Sequence, residues 1–175
     1  MSVRCADLTN LKAALLALLL VVPVNTLAQY TYPQGMKQVG QASLSLFWVE
    51  VYDARLFSED GEYDSGERPV LLELTYHRAI SGEDLLDATA KQLKDSLDAE
   101  TLAQALGLLQ PMLPDVKKGD RLAFYLTEQG RGRLFLNSRY LGGMDDPALN
   151  RAFLDIWLAP DSDFPELTRR LTGGG

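Results

Sequence analysis

An eleven-residue run from Phe47 to Phe57 places the strongest constraint on the fold of this chain. The run is rich in β-branched and aromatic residues, which favour extended structure. Under the two-residue repeat of a strand, apolar side chains point to both sides: Val49, Val51 and Phe57 to one, and Trp48, Tyr52 and Leu56 to the other. Because both faces carry apolar groups, the run is predicted to be a central strand that is covered, at least partly, on each side.

The N-terminus has the pattern of a secretory signal peptide. Arg4 and Lys12 precede an apolar run from Ala13 to Val24, and Thr26–Ala28 supplies small residues for a signal peptidase. We therefore expect cleavage after Ala28 and a periplasmic or secreted protein without a stable membrane anchor. An uncleaved anchor is the alternative, although the apolar run is shorter than the roughly 20 residues that span a bilayer.

Composition narrows the chemistry of the expected mature domain, residues 29–175. Loss of the leader changes the formal net charge from −7 to −8 and removes Cys5, the only cysteine, while His77 is the only histidine. This composition excludes a disulfide, a thiol nucleophile and a cysteine or histidine-rich metal centre, and no cofactor is expected. The negative charge argues against nucleic acid. Arg131 and Arg133, beside glycines, are predicted to form a solvated hairpin tip.

The remaining periodicity predicts strands, then helices, then strands, then helices. Val70–Arg78 alternates as a half-buried strand with Tyr76 on its apolar face, and the Ser81–Asp84 segment resembles a helix N-cap. An amphipathic helix to Leu97 and a second helix over 102–109 follow. A hairpin over residues 122–137, a helix after Asp146-Pro147 and a short helix over 165–171 complete the chain. Strands in hairpins with segregated helices indicate one α+β domain with an antiparallel sheet.

The ordered set of these segments resembles the bacterial chalcone isomerase-like proteins. The resemblance rests on Gly40, the 51–57 and 72–76 strands, Lys118-Gly119-Asp120, the Asn137 hairpin and Phe153–Leu158, and it covers residues 37–173. It implies an open-faced β-sandwich, in which a large antiparallel sheet is packed by a layer of helices with a ligand cleft between them.

The resemblance also implies where catalytic groups would stand. The family's enzymes use an arginine, a threonine, a tyrosine and an asparagine, and these positions fall on Gln41, Tyr52, Leu85 and Gln92 of this chain. None of the four matches, and Leu85 has no hydroxyl to donate. We therefore expect no catalytic residues and no isomerase activity. Fatty-acid-binding relatives use the same arginine and tyrosine to hold a carboxylate. Because this chain has neither residue at those positions, the resemblance does not imply a carboxylate site here.

Other polar residues give weaker signals. Arg78 ends its strand and is interpreted either as a ligand contact or as a solvated arginine. His77 lies on the polar face and is typical of a surface imidazole, and without a second histidine a serine triad with Ser43 is disfavoured. The Asp145–Asp146 pair favours helix capping over paired carboxylate chemistry.

Two functions from different classes follow. The first is a non-catalytic module that binds a small apolar ligand, such as a fatty acid or a polyphenol-like molecule, through Tyr52, Tyr76, Arg78, Leu85 and Gln92. The second is a structural or interaction module of the cell envelope, with the cleft filled by side chains and the 58–69 loop against a partner. Residual isomerase activity, an intramolecular lyase reaction, is a third possibility, and oligomeric state is left open.

Overall fold

A computed structural model describes residues 30–66 and 68–174, so the predicted signal peptide lies outside the described residues. One antiparallel sheet holds six strands in chain order. The strands are β1 (Lys37–Leu46), β2 (Val49–Ser58), β3 (Val70–Tyr76), β4 (Arg121–Leu126), β5 (Gly132–Leu136) and β6 (Arg139–Met144). The helices are α1 (Gly82–Leu93), α2 (Ala99–Leu109), a 3₁₀ turn (Gln110–Met112), α3 (Pro147–Leu158) and α4 (Pro165–Leu171). The predicted α+β class with an antiparallel sheet is confirmed.

The main core lies between one face of the sheet and the helices. Alternate residues of the strands, such as Leu56, Leu72 and Leu134, point into it and are almost completely buried. Leu109 and Leu154 of the helices pack against them. At Gly40 the backbone of β1 comes so close to α4 that a Cβ atom would lie 2.1 Å from the Arg170 carbonyl oxygen. Glycine is required there because no side chain fits between the two elements.

The opposite face of the sheet is covered in part by the segment before β1. Leu71, Ala123 and Phe135 form a small second core, against which Tyr32 and Met36 pack. The prediction that β3 is only half-buried is therefore wrong. Its polar face is buried at Glu73, which accepts a hydrogen bond from Tyr32 and ion-pairs with Arg55 at 2.8 Å. Partners distant in sequence let this carboxylate be buried.

The predicted Phe47–Phe57 strand is wrong at its first two residues. Phe47 and Trp48 have φ of 48° and 70° and form the two-residue loop between β1 and β2, where Leu46 pairs with Val49. From Val49 onward the prediction holds, because β2 pairs with β1 on one side and β3 on the other. Strand propensity favoured extension through Phe47 and Trp48, but the hairpin register decides the turn.

Helix starts follow the sequence closely. The Ser81 hydroxyl accepts the Asp84 amide at 3.1 Å, and the Asp146 carboxylate accepts two amides at the start of α3 with Pro147 in the first turn. The first helix ends at Leu93, four residues before the predicted end at Leu97. Within the described residues, no helix is long and apolar enough to cross a membrane.

The predicted solvated tip at Arg131 and Arg133 is half wrong. Arg131 is exposed, but Arg133 is only 4% exposed and lies within β5. Its guanidinium pairs with Asp145 at 2.9 Å and stacks over Tyr30 with 4.7 Å to the ring centroid. Of the two neighbouring aspartates, Asp146 therefore caps α3 as predicted, while Asp145 neutralises a buried arginine.

Candidate ligand-binding cavity

A cavity of ≈ 460 Å³ lies between the β1–β3 side of the sheet and helices α1 and α3. Its wall is mostly apolar and includes Leu44, Val51, Leu74, Ile80, Leu85, Leu113, Leu122, Phe153, Ile156 and Phe164. Strand residues reach it because β1, β2 and β3 turn alternate side chains toward the helices. Leu85 and Ala88 reach it from α1, where they are three residues apart and share one face of the helix.

Tyr52 and Trp157 supply the first polar pair of the wall. The indole Nε1–H of Trp157 donates to the Tyr52 hydroxyl oxygen at 2.9 Å, and both residues are buried. Since the Tyr52 oxygen accepts this bond, its own proton is free, and no described residue accepts it. Burial raises the pKa of Tyr52 to about 12, so the hydroxyl stays protonated at neutral pH.

Tyr76 stands beside Tyr52 on the neighbouring strand. The two are directly opposite in the β2–β3 register, and their rings meet edge to face with centroids 5.8 Å apart. Burial, with a smaller contribution from Tyr52, raises the pKa of Tyr76 well above its ordinary value. Among the described residues its hydroxyl has no hydrogen-bond partner. The cavity wall thus offers two neutral O–H donors side by side.

Charged side chains line only the α1 and 163–164 side of the cavity. Asp84, Lys91 and Asp163 are exposed, and Gln92 donates to the Asp163 carboxylate at 3.0 Å. Lys91 is the one basic residue among the described residues that line the cavity, and no arginine is among them. A carboxylate buried between the tyrosines would therefore have no cation beside it.

Four of the five predicted ligand-binding residues line this cavity: Tyr52, Tyr76, Leu85 and Gln92. Whether they contact a ligand stays a prediction. Arg78 does not line it, because β3 ends at Tyr76 and Arg78 is exposed beyond the strand. Gln41 points to the other side of the sheet, whereas its neighbour Ala42 is buried toward the helices. Trp157, interpreted from sequence as core, is both core and cavity wall, and sequence gave no signal of its bond to Tyr52.

A second concavity of ≈ 470 Å³ on the open face of the sheet is polar. There Asp53 accepts from Ser43 at 2.6 Å and bonds His77 Nε2 at 2.9 Å, and the Ser43 bond is the chief reason that the pKa of Asp53 is lowered. The carboxylate stands between the serine and the imidazole. In a hydrolytic triad the imidazole must contact the serine directly, so this arrangement does not activate Ser43.

Metal ligands are not grouped in the described part of the chain, where no three His, Cys, Asp or Glu side chains are placed to hold an ion. The wall of the main cavity is mostly apolar and carries the two tyrosine hydroxyl donors, with charged residues only on its α1 and 163–164 side. Those donors suit an oxygen acceptor on an otherwise apolar molecule.

Comparison with known proteins agrees with this architecture. The family profile described as chalcone isomerase-like matches residues 35–169. An uncharacterized protein of Haemophilus influenzae is 33% identical over 136 residues, which covers 77% of this chain and 67% of that protein. A crystal structure of a fatty-acid binding protein from Arabidopsis thaliana has a TM-score of 0.62 at 10% identity, covering 82% of this chain and 90% of that one. At that identity the likeness shows the fold alone.

Proposed function

Because this chain belongs to the chalcone isomerase-like family, we propose that it is a non-catalytic protein that binds a small apolar molecule between its sheet and its helices. The observation that carries the proposal is the ≈ 460 Å³ cavity whose apolar wall holds two tyrosine hydroxyls, Tyr52 and Tyr76, with no acceptor for their protons among the described residues. Its volume lies in the range of about 300–1,000 Å³ that is typical of ligand sites. The fatty-acid binding relative has the same fold, which supports an apolar ligand here as well.

Electrostatics favours a ligand whose oxygen is uncharged. Tyr52 and Tyr76 donate hydrogen bonds but carry no positive charge, and Lys91 is exposed. Burying a carboxylate without a cation is costly, whereas a carbonyl, ester or alcohol oxygen is satisfied by neutral donors. We therefore propose a ligand with an apolar body and a neutral oxygen near the tyrosines. A fatty acid would instead bind with its carboxylate directed toward Lys91.

The same residues support a role without catalysis. A tyrosine that acts as a general base must be ionised near neutral pH, but burial raises the pKa of both tyrosines and keeps them protonated. The positions where the family's enzymes carry tyrosine and asparagine hold Leu85 and Gln92, and Gln92 is engaged with Asp163. The cavity volume also counts against a cleft filled by side chains, as a purely structural module would have.

The location of this function is part of the proposal. The basic, apolar and small-residue pattern of residues 1–28 supports export, and we propose that the domain acts in the periplasm or outside the cell. There it would hold a molecule that is poorly soluble in water. Mass determination of the exported protein tests the leader, since removal of residues 1–28 gives a mature chain that starts at Gln29.

The ligand proposal is tested with matched C16 probes that differ only in the head: an alcohol, a methyl ester and an acid. Binding is followed by native mass spectrometry and calorimetry. We expect the alcohol and ester to bind at least as tightly as the acid near pH 8. Ala88→Trp places an indole in the cavity and is expected to abolish binding, whereas Ala103→Trp, exposed on α2 outside the cavity, leaves it unchanged. Equal binding by the two variants would refute the proposed site.

A further inference from the structure

The tip of the β1–β2 hairpin is an exposed apolar wedge. Four consecutive residues form it, Leu46, Phe47, Trp48 and Val49, and they are 44%, 94%, 102% and 44% exposed. Large aromatic side chains at full exposure are uncommon at the tip of a turn in a water-soluble domain. Since Phe47 and Trp48 bury so little within the domain, packing does not account for them.

Turn geometry does not account for them either. A two-residue loop with positive φ at both positions favours Asn, Asp or Gly. The β5–β6 hairpin of the same sheet follows this rule at Asn137 and has a small polar residue, Ser138, at the second position, with φ of 50° and 68°. Phe47 and Trp48 adopt nearly the same φ values, although bulky residues are disfavoured there. The wedge therefore carries a local cost that its own hairpin does not explain.

Basic side chains surround the same end of the sheet. The strand directions bring the ends of β3 and β5 and the starts of β4 and β6 to the side of the hairpin tip. Arg78, Lys117, Lys118 and Arg139 lie there, all exposed and without an ion pair among the described residues. Glu50, Asp84 and Asp115 are exposed at this end too, with Asp84 on the cavity wall that also includes Leu46 and Phe47, so four unpaired cations stand with three carboxylates on a chain of net charge −7.

We propose that this end of the molecule docks on a lipid bilayer, with Phe47 and Trp48 inserted at the level of the headgroups and the basic residues against lipid phosphates. Tryptophan and phenylalanine side chains are favoured at that depth, and cations near an anionic surface add to the binding. A two-residue tip presents far less surface than the area of about 800 Å² that each partner contributes to a standard protein interface. It is suited to penetrate a lipid layer.

Docking in this way would also orient the cavity. Leu46 and Phe47 are part of the cavity wall, so the wedge and the cavity are continuous. With the tip inserted, the cavity mouth lies against the headgroup region, and an apolar molecule could pass between the cavity and the bilayer over a short path. This last step rests on the proposed function, whereas insertion of the wedge does not.

The test uses the fluorescence of Trp48 in the exported, processed protein. The chain has two tryptophans, and the other, Trp157, is buried. Vesicles of phosphatidylcholine alone and mixed with phosphatidylglycerol are prepared with and without brominated acyl chains, which quench only an indole within the lipid. We expect a blue shift and quenching of the wild type, and neither in Trp48→Phe, which reports Trp157 alone.

A second variant separates insertion from folding. Phe47→Asn combined with Trp48→Gly installs a favoured turn, so it is expected to fold at least as well as wild type while vesicle cosedimentation falls at least about tenfold. Lys118→Gln and Arg78→Gln are each expected to weaken binding to the anionic vesicles by about fivefold at low salt. Arg131→Gln is the control, because Arg131 is an exposed arginine at the other end of β5.

Several outcomes would overturn the inference. The first is that acrylamide still quenches the fluorescence of wild-type Trp48 at saturating vesicle concentration while brominated lipid does not. The second is a mass in solution that falls from dimer to monomer in the Asn-Gly variant, because the wedge would then cover a second copy. A wild-type protein that binds no vesicles but retains its ligand would refute docking and leave the proposed function standing. A wild-type protein that binds vesicles but none of the ligand probes would leave docking standing and refute the proposed function.

Discussion

Replacing Tyr52 by phenylalanine tests the hydrogen bond that organises the polar part of the cavity. The indole N–H of Trp157 donates to the Tyr52 oxygen at 2.9 Å, with the two residues 9% and 8% exposed. Phenylalanine preserves the ring and the volume, so the substitution removes little besides the acceptor. The indole N–H is then left without a partner in a mostly apolar wall.

The size of the effect follows from that loss. An unsatisfied buried donor costs about 1–3 kcal/mol, and because cavity water can reach this wall we expect the lower part of that range, about 1–2 kcal/mol for Tyr52→Phe. Trp157→Phe also removes ring volume and should cost about 2–4 kcal/mol. The double variant has neither polar group, so no buried donor or acceptor is left unpaired. Its loss of stability should therefore be about 1 kcal/mol smaller than the sum of the losses of the two single variants.

The assay is urea unfolding of the four proteins, followed by far-ultraviolet circular dichroism so that loss of Trp157 does not alter the signal. With an m-value of about 1–3 kcal/mol/M in urea, a change of about 1 kcal/mol corresponds to a shift in the midpoint of roughly 0.3–1 M. Tyr125→Phe is the matched control, because Tyr125 is half-buried on the other face of β4 and its hydroxyl has no partner among the described residues.

The cycle also bears on ligand binding. Tyr52→Phe should weaken the alcohol and ester probes by up to about tenfold, which corresponds to one neutral hydrogen bond. A coupling energy below about 0.3 kcal/mol would show that the Tyr52–Trp157 bond does not hold the cavity together. Unchanged probe affinity would show, separately, that the Tyr52 proton does not face the ligand.

Three further outcomes are expected. Because the pKa of Tyr52 and of Tyr76 is raised in the folded state, their contribution to stability is complete below about pH 10. Above that pH the free energy of unfolding should fall by about 1.4 kcal/mol per pH unit for each tyrosine. Urea unfolding from pH 8 to 11.5 checks this, and a flat profile would contradict it. Glu73→Gln, which leaves two partly exposed arginines without their carboxylate, should cost about 1–3 kcal/mol in thermal unfolding, and no loss would show that the buried carboxylate is dispensable. Phe47→Asn with Trp48→Gly should raise the free energy of unfolding by about 1–2 kcal/mol by relieving two bulky residues at positive φ, and a lower Tm would refute that account of the tip.

The parts of the fold that depend on neighbours in sequence were predictable. Alternation marks β3, a polar cap followed by a spaced apolar stripe marks α1, and Asp146-Pro147 marks the start of α3. These signals are local, because strand and helix periods place side chains on a face before any tertiary contact forms. The order of strands and helices then indicated the α+β class, and the resemblance implied the cleft.

Local signals failed where the pairing of strands or a contact from far along the chain decides the outcome. Phe47 and Trp48 have high strand propensity, but pairing of β1 with β2 places them in the turn. Arg133 has the sequence context of an exposed tip, yet Asp145 and Tyr30 allow it to be buried. In each case the local preference of the residue contributes less than the pairing or packing partner.

By itself, the sequence determined the class of the fold, most of its elements and the absence of thiol and histidine-rich chemistry from residues 29–175. Only the tertiary structure decided which polar groups stand together in the cavity wall. Tyr52 and Trp157 are 105 positions apart, and Tyr76 joins them through the sheet register. A hydroxyl is a free donor or a satisfied one according to what packs beside it, and packing is a property of the assembled domain.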